Sequence, residues 1–508
     1  MLAKVTAGAV LGVDAYLVEV EVDISAGLPG FTTVGLPEGA VKESKDRVKA
    51  ALKNSGYPYP AKRITVNLAP ADVRKEGSAF DLPVAMGLLA ASGLVDQDSL
   101  RDHLMVGELS LDGRLKAVRG VLPLALAARD NELAGLIVPR ENGEEAALVE
   151  GLTVLTADYL PEVVEHFNGS GRLDEVRVDL AALFDRPRDD LLDLADVRGQ
   201  EHVKRALEIA AAGSHNLLMI GPPGAGKTML ARRLPSILPP MTFEEALETT
   251  KIYSVAGLLS DRGVLVTERP FRHPHHTTSE PGLVGGGAIP RPAEVSLAHN
   301  GVLFLDELPE FNKPALENLR QPLEDGEVTI ARAAMTVKFP ARFMLVAAMN
   351  PCPCGYFGDA GRRCTCTDLQ VHRYRSKISG PLLDRIDLHL EVPPVNYREM
   401  TGAGGETSAV VRARVMAARE VQAARFSGYN VYANGQMTAR LIERYCPISD
   451  EGHDLLARAV DRLGLSARAV SRIRKIARTI ADLEGAADIS VSHLSEAIGY
   501  RSLDRPLF

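Results

Sequence analysis

Hydrophobic and polar residues alternate near the start of the chain. Val18, Val20, Val22 and Ile24 interleave with Glu19, Glu21 and Asp23. A period of two predicts a strand with one buried face. The apolar run 5–13 passes straight into this alternation, which reads as strand rather than a cleaved leader. The longest apolar stretch, 82–95, is shorter than the roughly 18 residues a membrane span needs. It predicts a buried helix. Residues 201–212 carry helical spacing. The short apolar runs 216–220, 302–305 and 343–349 predict buried strands, of the parallel kind at 216–220. Helical spacing returns at 410–425 and 450–482.

These patterns divide the chain. Residues 1–168 mix strand-like and helix-like segments and carry no nucleotide motif. Residues 169–195 are charged, with Asp189 and Asp190 adjacent, and are expected to form a linker or a loosely packed connection. An α/β core is expected over 196–393, ending at Pro393 and Pro394. Gly402, Gly404 and Gly405 lie just beyond and suggest a flexible join. The remainder, 394–508, is helix-rich.

Composition adds two limits. With 508 residues the chain is long enough for about three domains. Its formal net charge of -8 removes the global basic excess common in nucleic-acid binders, without excluding a local basic lining. Cytoplasmic location is the default expectation.

The chemistry concentrates in the central third. Gly221, Pro222, Pro223, Gly224, Ala225, Gly226, Lys227 and Thr228 match the phosphate-loop pattern G-x-x-x-x-G-K-[ST]. Glycines let the backbone curl its N–H groups toward phosphate oxygens. The helix expected next offers its positive end to the same anion. Lys227 would reach the terminal phosphates and Thr228 would ligate magnesium. A second apolar run ends in Asp306 and Glu307. Two adjacent carboxylates at a buried strand end are costly as structure alone. Asp306 would help hold magnesium, and Glu307 would act on the attacking water.

Four of the five cysteines lie between 352 and 366. Cys352 with Cys354 and Cys364 with Cys366 form two C-x-C pairs separated by nine residues. Four thiolates can close a tetrahedral zinc site with no open catalytic position. The plainer alternative is a set of free thiols packed behind the 343–349 strand. His273, His275 and His276 read as a polar loop rather than a metal site.

Long runs in this chain resemble the AAA+ ATPases of the magnesium-chelatase superfamily, most closely the YifB/ComM branch. They are Arg198-Gly199-Gln200, Arg272-His-Pro-His-His-Thr277, Gly285-Gly-Gly287, 296–311, Asn350-Pro-Cys-Pro-Cys-Gly355 and Ser379-Gly-Pro-Leu-Leu-Asp-Arg-Ile-Asp387. The resemblance implies an α/β P-loop core with a C-terminal helical lid. It also implies ATP and magnesium as cofactors and a homo-hexameric ring. By position, Asn350 resembles sensor 1, Arg385 the arginine finger offered to a neighbouring subunit, and Arg468 the sensor 2 arginine of the lid. Without the motif, each lone arginine would read as a surface ion pair.

The segments 67–83 and 107–114 resemble the protease domain of Lon, which implies an α+β fold of the ribosomal S5 domain 2-like kind. Ser78 falls near the serine of Lon's serine–lysine dyad, but Leu122 stands at the lysine position. Leucine accepts no proton, so a Lon-like fold without peptidase activity is expected. Ser78 would instead cap a helix starting near Ala79.

Three cargoes compete. The YifB/ComM resemblance implies a DNA helicase driving branch migration in homologous recombination and natural transformation. Residues 362–377 hold five Lys/Arg against one Asp, with Tyr374 among them. A hairpin-like segment at 327–339 carries Arg332 and Lys338. These two, with Arg373, Arg375 and Lys377, are candidate phosphate contacts; the bland reading is solvated faces or subunit contacts. The second cargo is a metal complex, as in magnesium chelatase. Asp488-Ile-Ser-Val-Ser492 matches the D-x-S-x-S metal motif of the chelatase partner, but reads more plainly as a turn and a helix cap at Ser490 or Ser492. The third is a protein to be remodelled.

Overall fold

The protein is described here by a computed structural model covering residues 1–508 except 38, 72–74, 76, 185–191, 260–262, 288–289, 333–334, 360, 396, 401–403 and 502–508. It divides into two units. The first comprises Met1–Arg186, Ala246–Thr267 and Ala333–Lys338; the second comprises Pro187–Glu245, Glu268–Arg332 and Phe339–Phe508.

The first unit is built on a mixed eight-stranded sheet. Its strand order is Asp174–Glu175, Thr153–Ala157, Gly135–Pro139, His103–Met105, Leu2–Leu11, Asp14–Ser25, Arg63–Ala69 and Gly30–Val34. The alternation at 18–24 works as expected. Val18, Val20 and Val22 are buried, while Lys4 on the neighbouring strand pairs with Glu19 and Glu21, each at 2.9 Å. The apolar stretch forms helix Asp81–Ala91, buried along its whole length. Asp81 is buried with it, and Arg47 satisfies its carboxylate from 2.6 Å.

Two sequence expectations need correction in this region. Ser78 does not cap that helix. The chain turns so that its carbonyl, not its hydroxyl, accepts from Asp81 N, and the hydroxyl donates to Glu108. The stretch expected as a linker is also not uniformly loose. Leu173 is buried, and Asp174–Glu175 adds an edge strand to the sheet. At the other end of the stretch, Asp193 Oδ1 accepts from both Ala195 N and Ser408 N, which fastens that end to helix Ser408–Arg425. Asp189, Asp190 and Gly402 lie outside the described residues.

The second unit holds a five-stranded sheet in the order Phe271–Arg272, Val302–Leu305, Met344–Met349, Leu217–Ile220 and Leu388–Glu391. Every neighbouring pair is parallel. The middle three strands are buried on both faces, which explains their unbroken apolar sequence. Helices Glu201–Gly213 and Lys227–Ile237 share one hydrophobic core with the C-terminal helices Ser408–Arg425, Asp450–Leu463, Ala467–Leu483 and Val491–Gly499. The break between the second and third of these C-terminal helices falls at Gly464, in the left-handed region with φ 67°. The D-x-S-x-S segment is a helix start. Ser490 accepts from His493 N, and the His493 ring accepts from Ser490 N in return. No helix among the described residues is long and apolar enough to cross a membrane.

Two histidines sit in this core without exposure. Burial lowers the pKa of His215 and takes His389 down to about 3. The His389 ring is therefore neutral when folded. Below about pH 6.5 the unfolded chain protonates it and the folded chain does not, so stability falls as pH falls. For His389 the loss runs from about 6.5 to about 3, at about 1.4 kcal/mol per pH unit. Urea unfolding between about pH 7 and 5 measures it, and His389→Gln should flatten the slope by that amount. An unchanged slope would mean that the ring titrates normally.

Candidate functional site

The site forms where the carboxyl ends of three adjacent parallel strands meet. Strand Leu217–Ile220 runs into the phosphate loop, Val302–Leu305 into Asp306 and Glu307, and Met344–Met349 into Asn350. Crevices at strand carboxyl ends are where open α/β sheets bind ligands.

Gly224 and Gly226 take φ of 80° and 88°, a region an L side chain rarely adopts. They turn the loop into helix Lys227–Ile237, whose first N–H groups have no partner inside the helix. Lys227 is nearly enclosed. Its Nζ donates to the carbonyls of Gly221 at 2.7 Å and Pro222 at 3.0 Å, and to Asn350 Oδ1 at 3.2 Å. Burial lowers its pKa, against the pull of Asp306 and Glu307. Thr228 Oγ1 donates to Asp306 Oδ2 at 2.6 Å. A hydroxyl and a carboxylate in contact are hard oxygen donors of the kind magnesium takes.

Glu307 stands at φ 53°, and its N–H donates to Asp306 Oδ1 at 2.9 Å. That left-handed turn separates the two carboxylates. Asp306 points at Thr228, and Glu307, with 55% of its side chain exposed, lies 3.3 Å from His276 Nδ1. His273 packs against Phe304 at 4.8 Å between ring centroids. The histidine run thus lines the acidic side of the site.

Lys227, Thr228, Asp306, Glu307 and Asn350 are therefore brought together. Arg385 and Arg468 are not. Arg385 pairs with Glu324 and donates from Nη1 to Pro381 O at 2.8 Å. It borders a cavity of about 640 Å³, which Glu280, Glu317, Arg320 and Ile330 also line. Arg468 is exposed at the start of helix Ala467–Leu483, and its charge is felt at Glu324.

Among the candidate phosphate contacts, Arg375 is half-buried and already engaged. Its Nε donates to Pro351 O at 3.0 Å, and its guanidinium lies 5.4 Å over the Phe357 ring. Tyr374 is buried, which pushes its phenol up to about 12. Lys377 reaches Glu310 at 3.2 Å. Arg373 and Lys338 are exposed, and the side chain of Arg332 lies outside the described residues.

The four cysteines converge. Their sulfurs lie within 4.8 Å of one another.

Sequence reasoning gave Gln200 no role, although it lies in a quoted run. Its Nε2 donates to Ala225 O at 2.9 Å and Pro393 O at 3.1 Å, bracing the phosphate loop from behind. A non-glycine residue held at φ 55° marks the position in the structure, but nothing local in the sequence does.

The family described as magnesium chelatase, subunit ChlI, matches residues 193–400; the families described as subunit ChlI of Mg-chelatase and as magnesium chelatase, subunit ChlI C-terminal, match 20–142 and 405–501. Competence protein ComM of Haemophilus influenzae is 50% identical over 512 residues, covering 100% of this chain and 98% of that protein. The chain belongs to the ComM/YifB family. The YifB protein of Escherichia coli is 47% identical, again over 100% of this chain and 98% of its own length. Lon protease 2 of Bacillus subtilis is 29% identical over 146 residues, 27% of this chain and 26% of the protease. Membership in the ComM/YifB family, a magnesium-chelatase-type AAA+ group, makes ATP and magnesium the implied ligands, and the oxygen donors and phosphate loop described above fit both.

Proposed function

We propose that this chain is an AAA+ ATP hydrolase that works as a ring on DNA. One observation carries the first half. The Thr228–Asp306 contact and the Lys227–Asn350 contact lie side by side at the strand carboxyl ends, and this supports the first pair as magnesium ligands and the second as phosphate ligands. Thr228 and Asp306 would hold the metal, which neutralises charge on the phosphates. Lys227 would exchange its carbonyl acceptors for phosphate oxygens, which are charged and bind more strongly. Glu307 would orient the attacking water and take its proton, with Asn350 holding the same water from the next strand. Arg385 lies apart from these residues, which suits a cation offered to the neighbouring subunit's phosphate. In this reading 196–393 is the AAA+ core and 394–508 the helical lid carrying Arg468. Residues 1–168 form a Lon-like domain without peptidase activity, since Leu122 is buried and Ser78 is engaged with Glu108.

The DNA half draws on the competence named in the ComM relative and on the exposed Arg373 and Lys338. The three matches to chelatase subunit ChlI favour a second reading, a motor for metal insertion. One experiment separates them. ATPase rate is measured with single-stranded, double-stranded and branched DNA at fixed salt. Stimulation of several-fold by DNA, reduced in Arg373→Ala/Lys338→Ala and absent in Lys227→Ala, is expected. A flat response to every DNA would leave the motor with a metal complex or a protein as cargo.

A further inference from the structure

The cysteine loop begins two residues after Asn350, at Cys352, and folds back onto the phosphate loop. Cys352 and Cys354 sulfurs lie 3.4 Å apart, Cys352 and Cys364 3.7 Å, and Cys354 and Cys364 3.5 Å. A tetrahedral zinc with bonds of about 2.3 Å needs sulfurs about 3.8 Å apart. A disulfide needs about 2.05 Å, and all four cysteines are free. The Cys366 N–H donates to Cys364 Sγ at 3.4 Å, which ties the second C-x-C pair together. The spacing is thus that of ligands around one ion.

The loop is also fastened to the nucleotide site. Gly355 sits at φ 88°, and a Cβ placed there would meet the ring of Pro223 at 2.6 Å. The cysteine loop therefore lies directly on the phosphate loop, with no room for a side chain between them. On the other side, Cys366 leads into helix Asp368–Arg375, closed at its start by a Thr367–Gln370 capping box. The last residue of that helix, Arg375, returns to hold Pro351 O, next to Asn350. The backbone of Asn350 faces the Tyr374 hydroxyl on the same helix.

We propose that Cys352, Cys354, Cys364 and Cys366 bind one zinc ion, and that this metal knot positions Asn350 and the Pro223 edge of the phosphate loop. The ion releases the thiol protons on binding, carries no open coordination position and does no chemistry itself. Without it, the two C-x-C pairs lose their tie to each other, and Asn350 is left to its strand and to helix Asp368–Arg375. Zinc loading would then set how well the site handles nucleotide. The second half of the proposal rests on the ATP-site reading; the first does not.

The test uses the full chain. Metal content of purified protein is expected at one zinc per chain, falling to near zero in Cys364→Ser. Cobalt exchanged into the site is expected to give the intense thiolate-to-cobalt absorption of a four-sulfur site. A protein that neither carries zinc nor takes up cobalt overturns the site. For the coupling, Gly355→Ala keeps all four thiolates and is expected to keep its zinc while losing at least about tenfold in ATP turnover, through steric displacement of Pro223. Zinc-stripped wild type that stays folded by circular dichroism should show the same loss and recover when zinc is returned. Equal turnover in stripped and loaded protein overturns the coupling. If loaded wild type neither binds nor hydrolyses ATP, the ATP-site reading fails while the metal count stands.

Discussion

Glu307→Gln is expected to leave ATP bound and slow its hydrolysis by at least about 100-fold, the lower bound for losing a positioned general base. Glu307 is turned away from the Thr228–Asp306 pair by its left-handed backbone, so its carboxylate is not committed to the metal. That carboxylate faces solvent and the His276 ring, where an attacking water would stand. Glutamine keeps the shape and can still orient that water, but takes no proton at neutral pH. Binding should survive, because Lys227, Thr228 and the loop N–H groups are untouched. Lys227→Ala should do the reverse and lose binding, since the ammonium that reaches the loop is gone. Single-turnover hydrolysis beside equilibrium binding of a fluorescent ATP analogue separates the two. A Glu307→Gln variant that turns over within about tenfold of wild type would move the base elsewhere.

The second large effect is on stability. Asp387 follows Arg385 by two residues and is buried among charges. Its Oδ2 accepts from Asn216 N at 2.9 Å and lies 3.5 Å from His215 Nδ1, while Oδ1 pairs with Arg472. Burial alone would raise its pKa, but Arg472 and His215 hold the carboxyl well below the usual range. The pair joins the base of the phosphate-loop strand to helix Ala467–Leu483, one turn after Arg468. Removing one partner of a buried pair costs about 3–5 kcal/mol, because the other charge is left unpaired. Asp387→Asn is therefore expected to lose that much in denaturant unfolding, even though Asn can still accept from Asn216 N. Asp387→Asn combined with Arg472→Met should recover much of it, since no charge is then stranded. A single variant within about 1 kcal/mol of wild type would show that water already screens the pair.

Nothing near Asp387 in the sequence announces Arg472, whereas other features were plain there. The alternation at 18–24, the enclosed helix Asp81–Ala91, the apolar parallel strands and the phosphate loop were legible in the sequence. Each is a local requirement: a side-chain period, a glycine at positive φ, or an apolar run of strand length. The placement of Asn350 beside Lys227, 123 residues away, came from likeness to a known family rather than from pattern.

Only the tertiary structure decided which charges are spent inside the chain. Arg375 read as open to a phosphate, yet Pro351 and Phe357 hold it. Ser78 read as a cap, yet the turn before helix Asp81–Ala91 presents its carbonyl instead. The pairing of Arg472 with Asp387 spans 85 residues, and Gly355 lies against the ring of the distant Pro223. Periodicity reports which face of an element is buried, because burial follows from the spacing of its own side chains. It is silent on which distant charge or ring meets that face, because that choice belongs to the packing of elements far apart in the chain.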